Sequence, residues 1–489
     1  MFTSITFAPV QGFIEKSRKL RDLYGSSFIL SYLAKGICED GMKAGCKVIS
    51  PALLNVAQGT PNQIILQGNY PYKQAREDFF RRWKQICTVC REWIEDHLPE
   101  YRYTWKRDWD LWGNHAWEFF WAEGESIGEA RRNIARRKQE RDWVGVNWEG
   151  ESSTLSGADA IAWYGMGENT APHHRDWGEV SRSIKDFYTQ MSRTPLGEAF
   201  MEGEGREQLS IPELIKRMVT YQPIAQRLGI EKPDVPPSFA DLSRWKENIW
   251  TAWFQGDGDN IGNYLMRLPA EEEAKNLHDF SQAMMHWGKD YLRPSLPEEQ
   301  GRIIYAGGDD FLGVILDKQA KHSTDIGRIC LEWFYRFPDL WKKHQRPITV
   351  SVGLVVAAGG VPQRDVLQHC KETEQMAKSK GKDRLAIRIL FNGGNYLQWH
   401  CPWDLLQEVL TGYSDREGGK NWGHIYGDVA VLEQRHAFDS KDNQIAKALL
   451  SIYWGERIAE RAVAKISEQE LTDWTINLAK VGWHLCSST

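Results

Sequence analysis

Four things are scarce in this 489-residue chain. No apolar run approaches the roughly 18 residues that cross a bilayer. The longest, ITVSVGLVVAAGGV, reads as a buried strand and turn, so no membrane partner is expected. The opening MFTSITFAPVQ has neither a basic leader nor a long apolar core, which argues against a secretory signal. Cysteine is sparse: eight residues, mostly scattered, fit a reducing compartment rather than a disulfide scaffold. Only Cys87 and Cys90, in KQICTVCREW, have metal spacing, and no second pair follows to complete a four-ligand zinc site. The surrounding FFRRWKQICTVCREWIEDHL has helical periodicity, so the two thiols read as neighbours one turn apart. Charge of one sign is lacking as well. A net charge of −5 argues against a protein that coats nucleic acid over its whole surface, and leaves room for a local basic groove.

What is present is ordinary for a globular chain: 42% hydrophobic and 26% charged residues, at a length that predicts two to four domains. The 23 tryptophans are many and read mainly as core. The spacing predicts a strand in ITFAP and a helix in GFIEKSRKLRDLYGSSFILSYLAKGI. CKVISPALL follows, and then a short strand in QGTPNQIILQG. Residues 126–143 read as a basic helix carrying Arg131, Arg132, Arg136, Arg137, Lys138 and Arg141. That face either touches RNA phosphates or is simply solvated. Residues 150–246, rich in Gly, Ser, Pro and charge, read as a smaller insert with connecting helices, and KPDVPPSFADL as a hinge.

From about 247 the pattern becomes regular. The order β-α-β-β-α-β-α-β predicts a ferredoxin-like palm with helices on one sheet face. After about 393 the chain reads as mainly helical, most clearly in QIAKALLSIYWGERIAERAVAKI.

Two motifs in the regular region carry chemistry. RIIYAGGDDFLGVIL puts Gly307 and Gly308 in a hairpin turn and two like charges, Asp309 and Asp310, at its tip. That repulsion is useful if a cation sits between them and a phosphate. QGDGDNIGNYL ends the first palm strand, and a ferredoxin-like sheet makes that strand a neighbour of the hairpin, so Asp257 can face both aspartates. Three converging carboxylates suit Mg²⁺ or Mn²⁺. Two such ions, about 4 Å apart, can activate a hydroxyl and neutralise a departing pyrophosphate. The turn with Gly258, Asn260 and Gly262 offers amides at a helix start, a seat for phosphates. Lys378 and Lys382, in EQMAKSKGKDR, can meet a polyphosphate tail or merely face solvent. DGDN also occurs in calcium loops, but the further EF-hand ligands do not follow.

DGDNIG, YAGGDD, SVG and AKSKGKDR together resemble the palm of the large subunit of type III CRISPR effector complexes of the Cmr/Csm type, itself related to GGDEF nucleotide cyclases. FAPVQGFIEKSRKLRDLYGSSFILSYLA, GTPNQIIL, ARRKQER, REQLSIPELIKR and PPSFADL resemble the same subunit's N-terminal half, in family order over about four hundred residues. The resemblance implies an α+β fold of two ferredoxin-like palms. The first palm-like domain would span 1–150 and an insert of connecting helices 151–246. The catalytic GGDD palm would span 247–392 and a C-terminal helical domain 393–489. Two departures stand out. Relatives commonly carry an HD nuclease domain ahead of the first palm. Here the only His-Asp dipeptide, His278-Asp279, lies in a predicted palm helix, so no HD nuclease activity is expected. Where relatives have CxxC before a glycine, this chain has STLSG with Ser153 and Ser156, so zinc is not expected there.

By resemblance, the family binds guide CRISPR RNA and target RNA together with guide-handle-binding, small helical and backbone subunits, in the prokaryotic cytoplasm. On sensing foreign RNA it converts ATP to cyclic oligoadenylate. Carried over, Asp257, Asp309 and Asp310 would hold two metal ions while one ATP's 3′-hydroxyl attacks another's α-phosphate. Gly307 and Gly308 would make room, and Ser351 and Lys378 would line the nucleotide pocket. One carboxylate cage leaves the second ATP to lean elsewhere, and Arg18, Arg21 and Ser26 of the first palm-like domain are the candidates. Two further readings stand beside this one: a structural subunit that binds nucleotide without turnover, and a free-standing dinucleotide cyclase of the GGDEF type.

Overall fold

β-Branched and aromatic residues favour a strand in FTSITFA, and it forms β1 (Phe2–Ala8), buried from Thr3 to Phe7, inside the first of two sheets. The protein is seen here as a computed structural model describing residues 1–57, 59–141, 145, 151–163, 176–199, 205–230, 248–297, 299–438 and 443–487. It divides into two units, Met1–Ala240 with Leu265–Met285, and Asp241–Tyr264 with His286–Thr489.

In the first unit β1 leads through α1 (Val10–Glu15) and α2 (Leu20–Lys43) to β2 (Lys47–Ser50) and β3 (Ile64–Gln67). α3 (Tyr72–His97) and α4 (Lys106–His115) then lead to β4 (Glu118–Gly124) and α5 (Ile127–Gln139). The sheet order is β2-β3-β1-β4 with antiparallel neighbours, the expected ferredoxin-like arrangement. Phe7 meets Phe79 of α3 on one face. Phe2, Ile49, Ile65, Ile127 and Leu277 form a cluster that includes the returning segment. Cys87 and Cys90 sit in α3, where burial raises both thiols well above their ordinary range. α6 (Trp177–Arg193), α7 (Ile211–Met218) and α8 (Gln222–Arg227) occupy the insert. There Ser153 donates to Glu213 Oε1 at 3.0 Å, and the Ser156 amide donates to the same oxygen at 3.1 Å. KPDVPPSFADL lies outside the described residues, as do positions 142 and 143 of the basic stretch.

The second unit holds β5 (Thr251–Gly258) and α9 (Ile261–Met266) as far as Tyr264, and the chain from Leu265 to Met285, including most of α10 (Glu273–His286), belongs to the first unit. His278 and Asp279 lie in α10. β6 (Gly301–Gly307) and β7 (Asp310–Leu316) form the hairpin, followed by α11 (Ser323–Trp341), β8 (Val350–Ala357), α12 (Gln363–Ser379), β9 (Arg384–Leu390) and β10 (Tyr396–Pro402). The order β10-β9-β8-β5-β7-β6 contains the same four-strand arrangement, extended beyond β8 by a parallel and an antiparallel strand.

Two differences from expectation matter. The sheet is covered on both faces. Phe254 packs on Trp333 and Phe334 of α11 at 5.0 and 5.6 Å. The neighbouring register position points the other way, and there a Cβ on Gly353 would lie 2.3 Å from the Glu374 amide of α12. The stretch after 393 also opens with a strand, β10, before α13 (Trp403–Gly412), α14 (Gly423–Gln434), α15 (Gln444–Trp454), α16 (Glu456–Lys465) and α17 (Leu471–Cys486). QIAKALLSIYWGERIAERAVAKI, the clearest helical stretch in the sequence, forms α15 and α16. Gly455, at φ +76°, breaks it, a conformation that only glycine adopts without strain.

Candidate active site

The site lies on the α12 face of the second sheet, at the ends of β5 and β7. Asp257 pairs in register with Ser351, and Asp310 pairs with Gly307 across the hairpin. Gly308, at φ +93°, turns the chain so that Asp309 falls back toward β5. A Cβ on Gly258 would lie only 3.2 Å from the Asp309 Cβ, so the small residue permits that approach. The structure thus brings Asp257, Asp309 and Asp310 together.

Their electrostatics are strained. All three carboxylates are half-buried. Desolvation, and after it the charge on Asp257, pushes Asp310 up to about 7, partly offset by a hydrogen bond from Tyr305 Oη at 3.1 Å. Asp309 is raised for the same two leading reasons. Burial, then the neighbouring carboxylates, raise the Tyr305 phenol, which therefore stays a donor. Lys378, projected from α12, touches Asp257 Oδ2 and forms an ion pair with Glu374 at 2.7 Å. Burial opposes the lysine's charge, but these two partners outweigh it and raise its pKa. Glu374 is buried, and desolvation raises it despite Lys378.

These residues fit a divalent cation, although among the described residues no set of three or more ligating side chains is already arranged as a cage. Asp257 is turned to Lys378, and Asp310 accepts from Tyr305 instead. The donors are all oxygen, which suits hard ions, and a cation between them would relieve the repulsion that lifts Asp309 and Asp310.

Of the other expected residues, Asn260 sits at φ +56° and its side-chain oxygen accepts from Lys382. Gly262 opens onto free space. Gly307 is buried, and a Cβ there would strike the ring of Tyr305, so its smallness serves that tyrosine. Ser351 is wholly buried and gives its hydroxyl to Asp259 at 2.7 Å, which takes it off the pocket wall. Arg18, Arg21 and Ser26 belong to the first unit. Arg21 is buried with Nε on Thr220 at 2.7 Å, and Ser26 is buried with its hydroxyl on the Asp22 carbonyl at 2.7 Å. Arg18 is half-buried and donates to the Ser156 carbonyl at 3.2 Å. All three therefore hold that unit's interior together.

Sequence reasoning missed Tyr305, Glu374 and Asp259. Glu374 had a signal, its position one helical turn before Lys378. Asp259 acts through partners 90 or more residues away in sequence, and Tyr305 through Asp310, five residues on, which the hairpin brings back beside it.

Comparison with known proteins bears on both units. Residues 250–386 match the family profile described as Cas10/Cmr2, second palm domain, and residues 2–87 match CRISPR-associated protein Cmr2, N-terminal. No curated protein matches the chain in sequence. Among solved structures, a chain of the type III-B Cmr-beta complex in its apo state aligns over 99% of this chain and 81% of its own, at 11% identity and TM-score 0.57. A chain of the Csm1-Csm4 subcomplex in the type III-A CRISPR-Csm interference complex aligns over 98% and 69%, at 15% identity and TM-score 0.50. The apo Csm1-Csm4 cassette gives 98% and 69%, at 16% identity and TM-score 0.50. At these identities the likeness is one of fold.

Proposed function

We propose that the chain is a large subunit of a type III CRISPR effector of the Cas10/Cmr2 kind, a reading supported by the matches over residues 2–87 and 250–386, and that its second palm joins ATP into cyclic oligoadenylate. The carrying observation is the meeting of Asp257, Asp309 and Asp310 at adjacent strand ends, two of them raised toward neutrality and all on the face that presents Lys378. In each transfer a 3′-hydroxyl oxygen bonds to an α-phosphorus. The bond to the bridging oxygen breaks, pyrophosphate leaves with that electron pair, and the hydroxyl proton passes to water. Two Mg²⁺ or Mn²⁺ ions would supply hydroxyl activation and neutralise the leaving group. The chain's own part is to hold them through Asp257, Asp309 and Asp310. Tyr305 keeps Asp310 oriented, and Lys378 and Lys382 face the triphosphate.

The setting is a ribonucleoprotein in the prokaryotic cytoplasm, with guide RNA, target RNA and the other type III subunits as partners and target binding as the trigger. A second reading, nucleotide binding without turnover, draws on the pairing of Asp257 with Lys378. One assay separates them: the assembled complex is incubated with ATP, Mg²⁺ and target RNA. Oligoadenylate should form, and the Asp309→Ala/Asp310→Ala variant should assemble normally and form none. Undiminished synthesis by that variant would remove the catalytic assignment.

A further inference from the structure

Asp259, the second aspartate of DGDN, is 3% exposed and uses both carboxylate oxygens. Oδ1 accepts from Ser351 at 2.7 Å, and Oδ2 accepts from Thr349 Oγ1 at 2.9 Å and from the Asp383 amide at 3.0 Å. Its own amide donates to the Thr349 carbonyl at 2.8 Å. One side chain therefore ties the β5 loop, the start of β8 and the turn between α12 and β9.

That turn is strained. Gly381, Lys382 and Asp383 have φ of +120°, +63° and +48° in succession, and two of the three carry side chains. L-residues avoid this region, so such a run persists only where its surroundings over-determine it. The restraints are visible: the Lys382 amide donates to the Ala377 carbonyl at 3.1 Å, Arg384 Nε donates to the Lys382 carbonyl at 3.0 Å, and Asp259 takes the Asp383 amide. The result is that Lys382 turns back over β5, with its ammonium on Asn260 Oδ1.

We propose that Asp259 is a positioning residue whose carboxylate fixes the Gly381–Asp383 turn, so that the turn presents Lys382 to the β- and γ-phosphates of ATP. This rests on the nucleotide reading above, and it assigns strand-end aspartates two distinct duties. Asp257 faces the reacting atoms, whereas Asp259 faces inward and sets a lysine. Fixing the lysine beforehand means that less side-chain freedom is lost when the polyphosphate arrives.

The test measures binding of 3′-deoxy-ATP, which has no 3′-hydroxyl to react, and of 3′-deoxy-AMP to the full chain with Mg²⁺. Lys382→Met and Asp259→Asn should each weaken triphosphate binding about tenfold, as expected for a charge-assisted contact, and leave the monophosphate unchanged. The double variant should be no weaker than Lys382→Met alone. Thr349→Val, a milder surface change that removes one partner of the same oxygen, should weaken the triphosphate about threefold. It keeps the question open to measurement if Asp259→Asn does not fold. In the complex, both variants should raise KM for ATP more than they lower kcat. Losses that multiply in the double variant, or that fall equally on the monophosphate, overturn the inference while leaving the nucleotide reading intact. If the unmodified chain binds triphosphate no better than monophosphate, both fall.

Discussion

Asp310 is a carboxylate that prefers its proton in the folded protein, and that preference sets a pH dependence. Its ordinary value is 3.8 and its folded value about 7. The folded state therefore holds the proton more tightly than the unfolded chain does. That contribution to stability is fully present below pH 4 and is lost as pH rises through 7. A divalent ion competes with the same proton. Mn²⁺ affinity, measured by calorimetry without nucleotide, should rise between pH 5 and 7 and level off above, and Asp310→Asn should flatten the rise. An affinity independent of pH would mean that Asp310 does not hold the ion. Tyr305 tunes this group, because its hydroxyl favours the charged form. Tyr305→Phe should move the alkaline-going limb of the synthesis profile to higher pH, with folding unchanged. At this scale the meeting of the three aspartates was legible, because a ferredoxin-like strand order makes the end of β5 a neighbour of the β6–β7 hairpin. Ser351 was misread because nothing in SVG reveals that its hydroxyl turns inward to Asp259.

At the scale of elements, the placement of α12 decides the site. On the α11 face its lysine could not reach Asp257, which points to the other side of the sheet. Periodicity identified this helix but carries no information about which face it crosses, since either face buries an apolar stripe. β10 escaped because YLQWHCP mixes polar and aromatic residues without clean alternation, and pairing with β9 supplies what its sequence lacks. The start of α5 shows a similar non-local debt. Ser126 satisfies one amide, as its N-cap position foretells, but Ile127 and Gly128 donate to Glu273, both at 2.9 Å. Glu273 lies in α10 and is 145 residues or more from them in sequence. Glu273→Ala should destabilise the first unit by about 1 kcal/mol, read as a lower denaturation midpoint, whereas Glu273→Gln should recover part of the loss. No change in either variant would show that the cap is replaced by water.

At the scale of the molecule, the chain builds the same four-strand order twice and equips it once. In the first sheet the link from β2 to β3, PALLNVAQGTPNQ, contains no acidic residue and so has no counterpart of the two carboxylates in the GGDD turn. What the first unit does display is base. Arg132, Arg136, Arg137 and Lys138 are all exposed on α5, while Ile127, Ala130 and Ile134 on its other side are buried. A chain of net charge −5 has little long-range pull on RNA, so any binding must be local and shared with partners. Arg137 already pairs with Glu140 at 3.3 Å, which leaves Arg132, Arg136 and Lys138 as the informative positions. Phosphate contacts release counterions, with a slope of about 0.7 per contact on single strands. Changing those three residues to Gln should therefore weaken RNA binding by the assembled complex at low salt and reduce the slope of log K against log salt by about 2. The isolated chain should bind RNA far more weakly than the complex at the same salt. An unchanged slope would identify α5 as a solvated face, and tight, salt-resistant RNA binding by the chain alone would contradict a role that depends on neighbouring subunits.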